Sequence, residues 1–125
     1  MTDIGKFILR VAIGGMMLTH GYPKLIKLLS GAEISFGDPI GLGPELSFFL
    51  VVFAEFVCSI LLIVGYKTRL AAVPLLITML VAGFIAHGDD PFARQEKALM
   101  YAAVYLSIMF MGPGIYSIDE RRNVL

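Results

Sequence analysis

The residue in this chain best placed to do chemistry is Glu55, the single ionisable acid inside the apolar run FFLVVFAEFVCSILLIV, residues 48–64. At ~1.5 Å per residue that run is about 25 Å long as a helix, close to the roughly 30 Å of a bilayer's hydrocarbon core. A carboxylate at such a depth costs on the order of 3 kcal/mol even on lenient insertion scales. It therefore needs a partner inside the protein, and a buried acid with partners can hold and relay a proton. The competing reading is a structural ion pair or a hydrogen-bonded acid.

Helical spacing puts Val51, Cys58, Ser59 and Leu62 on the side of Glu55. Other chemically capable residues lie in or beside apolar segments: Arg10, His20, Lys24, Thr78, His87, Tyr101 and Tyr105. His20, Lys24, Glu55, His87, Tyr101 and Tyr105 are the candidates for ligand binding or proton relay, with Thr78 turning a further hydroxyl inward. Arg10 is the candidate for a structural ion pair with the acid. Each has a plainer alternative. Arg10 can snorkel to headgroups, the tyrosines can serve as belt or packing residues, and histidines before glycine at helix ends can serve the dipole. The histidines lack the carboxylate and spacing of a metal motif, so no metal is expected. Cys58, the one cysteine, reads as a small buried hydrophobe.

The elements that must position these residues are apolar helices. The chain has 125 residues, of which 58% are hydrophobic, and it reads as one transmembrane domain of all-α class: an antiparallel four-helix bundle. Spans are expected at about 4–22, 45–65, 70–87 and 98–112, with a loop at 30–44 and a polar tail at 115–125. The first is treated as a retained span, because no small-residue cleavage signature follows it. Pro23 is expected to bend or end it. Lys24 and Lys27 then alternate with leucine and isoleucine, as suits a short segment at headgroup level. Pro44 followed by Glu45 suits a helix start. The turn at 66–69 is short enough to force a hairpin, 88–97 reads as a polar loop, and Gly112-Pro113-Gly114 ends the last span, leaving the tail in water. Span one ends in THGYP and span three in AHGDDP, a faint internal echo that would set His20 and His87 at one depth.

Ten basic and ten acidic residues cancel, so no basic surface for nucleic acid is expected. With four spans, Lys6, Arg10, Lys67, Arg69, Arg121 and Arg122 fall on the side of the termini and Lys24, Lys27, Arg94 and Lys97 on the other. That bias favours cytoplasmic termini.

The pieces RVAIGGMMLTHGYPKL, FAEFVCSILLIVGYKTRLAAVPLLITM and GPGIYSID together resemble the DoxX family of small four-helix bacterial membrane proteins. The corresponding family positions are Arg10, His20, Gly21, Lys24, Glu55, Gly65, Arg69, Gly112, Gly114, Ser117 and Asp119. The resemblance implies a multi-pass protein of the bacterial inner membrane, tied to quinone-linked sulfur oxidation and membrane oxidoreductase complexes. Quinone is then the candidate ligand, and the expected partners are the lipid bilayer, a redox protein and a second copy of the chain. With no haem motif, cysteine cluster or dinucleotide glycine loop in the sequence, no covalently bound cofactor is expected and the chain is at most one subunit of an enzyme. The alternative is a non-catalytic assembly factor, chaperone or small-ligand-binding membrane protein. Its small residues, such as Ala71, Ala72, Ala98 and Ala102, would let helices approach closely.

Overall fold

The structure is a computed structural model and describes residues 2–31, 41–86 and 88–120. Among these the chain is all-helical and has no strands. The helices are α1 (Thr2–Leu29), α2 (Pro44–Val64), α3 (Thr68–Ala86) and α4 (Phe92–Met111). Helices α2 and α3, with 21 and 19 residues, are long and apolar enough to cross a membrane. At ~1.5 Å rise per residue each is about 30 Å long.

Each helix buries one stripe. On α1 this is Arg10, Ile13, Gly14, Met17 and Gly21, at the spacings of three and four that keep residues on one helical face. Ala71, Ala72, Leu75 and Met79 of α3 meet Ala98, Ala102, Tyr105 and Ile108 of α4 within one core, and α3 with α4 is the most extensive pairing in the molecule. Short alanine side chains allow that approach. Helix α1 packs along α2, whereas α1 and α4 touch only sparsely. Outward-facing positions are apolar, among them Ile8, Leu70, Phe84 and Phe110, the pattern of a protein solvated by lipid.

Pro23 does not end α1, which runs on to Leu29. The segment expected at headgroup level is thus the last turns of one helix, from which Lys24 makes an ion pair with Glu55. Helix α2 opens at Pro44 with Glu45 in its first turn. It widens into π-helical turns over Phe53–Cys58, and α3 does so over Ala82–Ala86. Helix α4 starts earlier than its apolar run. Pro91, with φ of −57°, fixes the turn before Phe92, so Arg94 to Lys97 are helical and not part of a loop.

The tail also departs from expectation over its described part. Helix α2 ends on Gly65, whose φ of 74° is left-handed, a conformation that glycine adopts without strain. Gly65 O accepts a hydrogen bond from Asp119 N at 2.9 Å. The Asp119 carboxylate accepts bonds from Lys67 N (2.7 Å), Thr68 N (2.9 Å) and Thr68 Oγ1 (2.9 Å). It thereby satisfies amides at the start of α3, where an acid is also favoured by the helix dipole. Ser117 is buried and donates to Gly114 O. Residues 115–120 are therefore docked on the α2–α3 hairpin, because open helix ends need partners. Residues 121–125, like most of the expected 30–44 loop, lie outside the described residues.

Gly21 sets the spacing of α1 and α2. A Cβ there would lie 2.6 Å from the carbonyl carbon and oxygen of Glu55, whereas one at Gly15 would meet nothing within 4 Å. Gly21→Ala should lower stability in detergent by about 1–3 kcal/mol. Gly15→Ala should leave it unchanged or raise it by up to about 1 kcal/mol. Thermal unfolding of the two variants side by side checks this, and equal midpoints would refute the close approach.

Candidate functional site

Glu55 is 2% exposed and sits in the π-helical segment of α2. Extra residues per turn in such a segment displace the face that a regular helix would present, and such turns recur at functional sites. Here both flanks of the turn are buried, Ala54 and Glu55 at one level and Cys58 and Ser59 at the next. The partner of Glu55 is Lys24, whose Nζ donates to Oε2 at 2.6 Å. The lysine side chain is 35% exposed and the acid 3%, so the pair runs from the interior to the surface.

Arg10 is not that partner. It is 1% exposed, and its Nη1 donates to Leu62 O at 2.9 Å and Ile63 O at 3.1 Å, while Nη2 donates to Tyr116 O. Leu62 and Ile63 belong to the last turn of α2, where carbonyls run short of intrahelical donors, although Leu62 O also accepts from Gly65 N at 3.2 Å; a cation there complements the helix dipole. The expected Arg10–Glu55 pair is corrected on this ground: Arg10 lies against the opposite end of α2, and Lys24 reaches the acid because α1 continues past Pro23. Thr78 likewise does not serve the interior, since its hydroxyl donates to Pro74 O of its own helix at 2.7 Å.

Several of the remaining candidates converge. A cleft of about 210 Å³ is lined by Met17 and His20 of α1, Glu55 of α2, Met79 and Ala82 of α3, and Arg94, Lys97, Ala98 and Tyr101 of α4. The rings of His20 and Tyr101 meet edge to face with centroids 6.2 Å apart, across the sparse α1–α4 seam. Tyr101 stacks in turn on Tyr105, centroids 6.1 Å apart. Tyr105 is fully buried, and its hydroxyl and that of Ser59 have no hydrogen-bond partner among the described residues. His87 lies outside the described residues. Among them no group of His, Cys, Asp and Glu could hold a metal ion.

Two cleft residues, Arg94 and Lys97, escaped the sequence reading because they fell in an assumed loop. The signal was available: Arg94, Lys97, Tyr101 and Tyr105 recur at steps of three and four, one helical face. A larger groove, about 630 Å³, lies between Lys67–Leu70 and Pro113, Asp119 and Glu120. Asp119 there is occupied with capping α3, so the groove is read as architecture.

The DoxX family model matches residues 5–88. The chain belongs to the DoxX family. An uncharacterized protein of Haemophilus influenzae is 32% identical to this DoxX chain, over 90% of the chain and 87% of the relative. An uncharacterized membrane protein of Mycobacterium tuberculosis is 29% identical over 90% of the chain and 78% of its own length. The inner membrane protein YqjF of Escherichia coli K12 is 25% identical over 98% and 95%. No solved structure matches. The DoxX chain is thus a membrane protein, and the matched stretch contains Arg10, His20, Lys24 and Glu55.

The unequal exposure of the pair makes its two halves unequal in a test. Lys24→Met strands a buried carboxylate and should cost about 3 kcal/mol. Glu55→Gln leaves a lysine that can turn to water and should cost less, about 1 kcal/mol. Thermal unfolding in detergent checks the order, and the double variant should be milder than Lys24→Met alone.

Proposed function

We propose that this DoxX-family chain is a multi-pass protein of the bacterial inner membrane, an antiparallel four-helix bundle with cytoplasmic termini, acting as the accessory membrane subunit of a quinone-linked redox assembly. The observation that carries the reading is the convergence of Glu55, His20 and Tyr101 on one cleft, with Lys24 paired to the acid. Quinone chemistry needs proton donors beside the ring oxygens and a group that refills them. His20, Tyr101 and Lys24 are of the first kind, and Glu55 of the second. The residues present fit such a headgroup in kind and in room. A cleft of about 210 Å³ is below the ~300–1,000 Å³ of pockets that enclose a whole drug-sized ligand, so a headgroup enters while its tail stays in lipid. Electrons would come from the partner protein.

The orientation follows from the charge bias, which sets Lys6, Arg10, Lys67 and Arg69 toward the cytoplasm and the cleft toward the outer side. A second, non-catalytic reading has one observation in its favour. Glu55 is already matched by Lys24 at 2.6 Å, an arrangement that also suits a site that only holds a small ligand.

Two measurements on protein reconstituted in nanodiscs separate these readings. A photoreactive quinone analogue should label peptides containing His20 or Tyr101, and Glu55→Gln should slow quinone reduction by the co-purifying redox partner by about 100-fold. Labelling with an unchanged rate supports the non-catalytic reading. Neither labelling nor a rate change would end the quinone assignment.

A further inference from the structure

Arg94 and Lys97 have no part in the Lys24–Glu55 pair or in the ring contacts of His20 and Tyr101. Both line the cleft, one turn apart on α4, and neither side chain has a hydrogen-bond or ion-pair partner among the described residues. Glu55, the cleft's carboxylate, is taken by Lys24. Among the residues that line the cleft, Arg94 and Lys97 thus add two positive charges and no carboxylate besides Glu55. The other helices bring an apolar lining, Met17 from α1 and Met79 and Ala82 from α3.

Lysines and arginines near helix ends often lie along their own helix and reach for headgroups. These two instead border a space shared by all four helices. Helices α1 and α4, which both line the cleft, touch only sparsely, and this seam is where an apolar chain would leave toward lipid. Phe84 and Phe92, 61% and 64% exposed, continue the apolar outer surface at the ends of α3 and α4 nearest the cleft.

We infer that the cleft takes the acidic headgroup of a membrane amphiphile, an oxyanion on an apolar chain, with Arg94 and Lys97 holding the oxyanion and the methionine-lined wall holding the first carbons of the chain. This needs the cleft and its cations but not the quinone. The cleft's volume admits one headgroup, so the two ligand classes exclude one another there, and either can fail alone in experiment.

The test uses the full chain in nanodiscs of neutral phosphatidylcholine. The probes are a long-chain carboxylic acid with a fluorophore at its apolar end, the matching long-chain alcohol, and inorganic phosphate as a free oxyanion. The acid should bind about tenfold more tightly than the alcohol. That preference should vanish in the Arg94→Gln, Lys97→Gln double variant and persist in Lys97→Arg, and in Arg69→Gln, which removes a charge at the other end of α3. Equal binding of acid and alcohol, or a preference that survives the double variant, overturns the inference. A loss as large in Arg69→Gln attributes the preference to overall charge and overturns it too. Displacement of the acid by inorganic phosphate at equal concentration overturns the amphiphile as the source of the oxyanion.

Discussion

The buried carboxylate of Glu55 and the lysine that reaches it set the terms for the rest of this fold. An acid this far into an apolar helix is stable only with a counter-charge in good geometry. Lys24 supplies it from a position that local rules would place outside the helix. The chain continues helical through Pro23 despite the missing amide, and the two helices come together at Gly21, where there is no room for a side chain against the backbone of Glu55. Glycine at 21, lysine at 24 and the acid at 55 are thus one structural unit. None of the three can be understood from its own neighbours in sequence.

At the other end of α2 the problem is different, since there the unsatisfied groups are backbone carbonyls and amides. Arg10 covers the carbonyls and Asp119 the amides of the next helix, and the returning tail joins the two. Backbone groups at helix ends lack intrahelical partners, and here a buried arginine and a docked aspartate supply them. The positions singled out by family resemblance divide accordingly. Arg10, Gly65, Ser117 and Asp119 cluster at the end of α2, while His20 and Glu55 line the cleft and Gly21 and Lys24 contact Glu55.

Much of this was legible from residue pattern alone: the apolar helices, the buried faces at steps of three and four, the start at Pro44, and the prominence of Glu55. What was not legible has physical causes. Depth counting put Arg10 and His20 on either side of Glu55, and the arithmetic could not see that Arg10 would prefer the end of α2, where free carbonyls outweigh a distant acid. Pro23 misled because a local helix-breaking propensity does not register the tertiary contacts of Gly21 and Lys24 with Glu55. The π-helical turns carry no residue signature, since they register how two helices fit and not what one helix prefers. The tail looked soluble by composition, yet its serine and aspartate had backbone groups to satisfy.

The two ends of the molecule also differ in what they leave over. Around Arg10, among the described residues, the guanidinium's terminal nitrogens are spent on backbone carbonyls and the Asp119 carboxylate on two backbone amides and the Thr68 hydroxyl, with Arg10 Nε lacking a partner. Around Glu55 the surplus, among the described residues, is larger: a histidine and a tyrosine ring meeting across a sparse seam, and two buried hydroxyls without partners, Ser59 and Tyr105. Helix widening contributes on both sides of this space, since the π-helical segment of α2 contains Glu55 and that of α3 begins at the cleft-lining Ala82. A bundle selected for packing alone would have little reason to keep polar groups unsatisfied in a region so short of water, because each costs free energy that apolar contact would recover. The surplus is accounted for if those groups act on something that comes and goes, which is the reading proposed for the cleft.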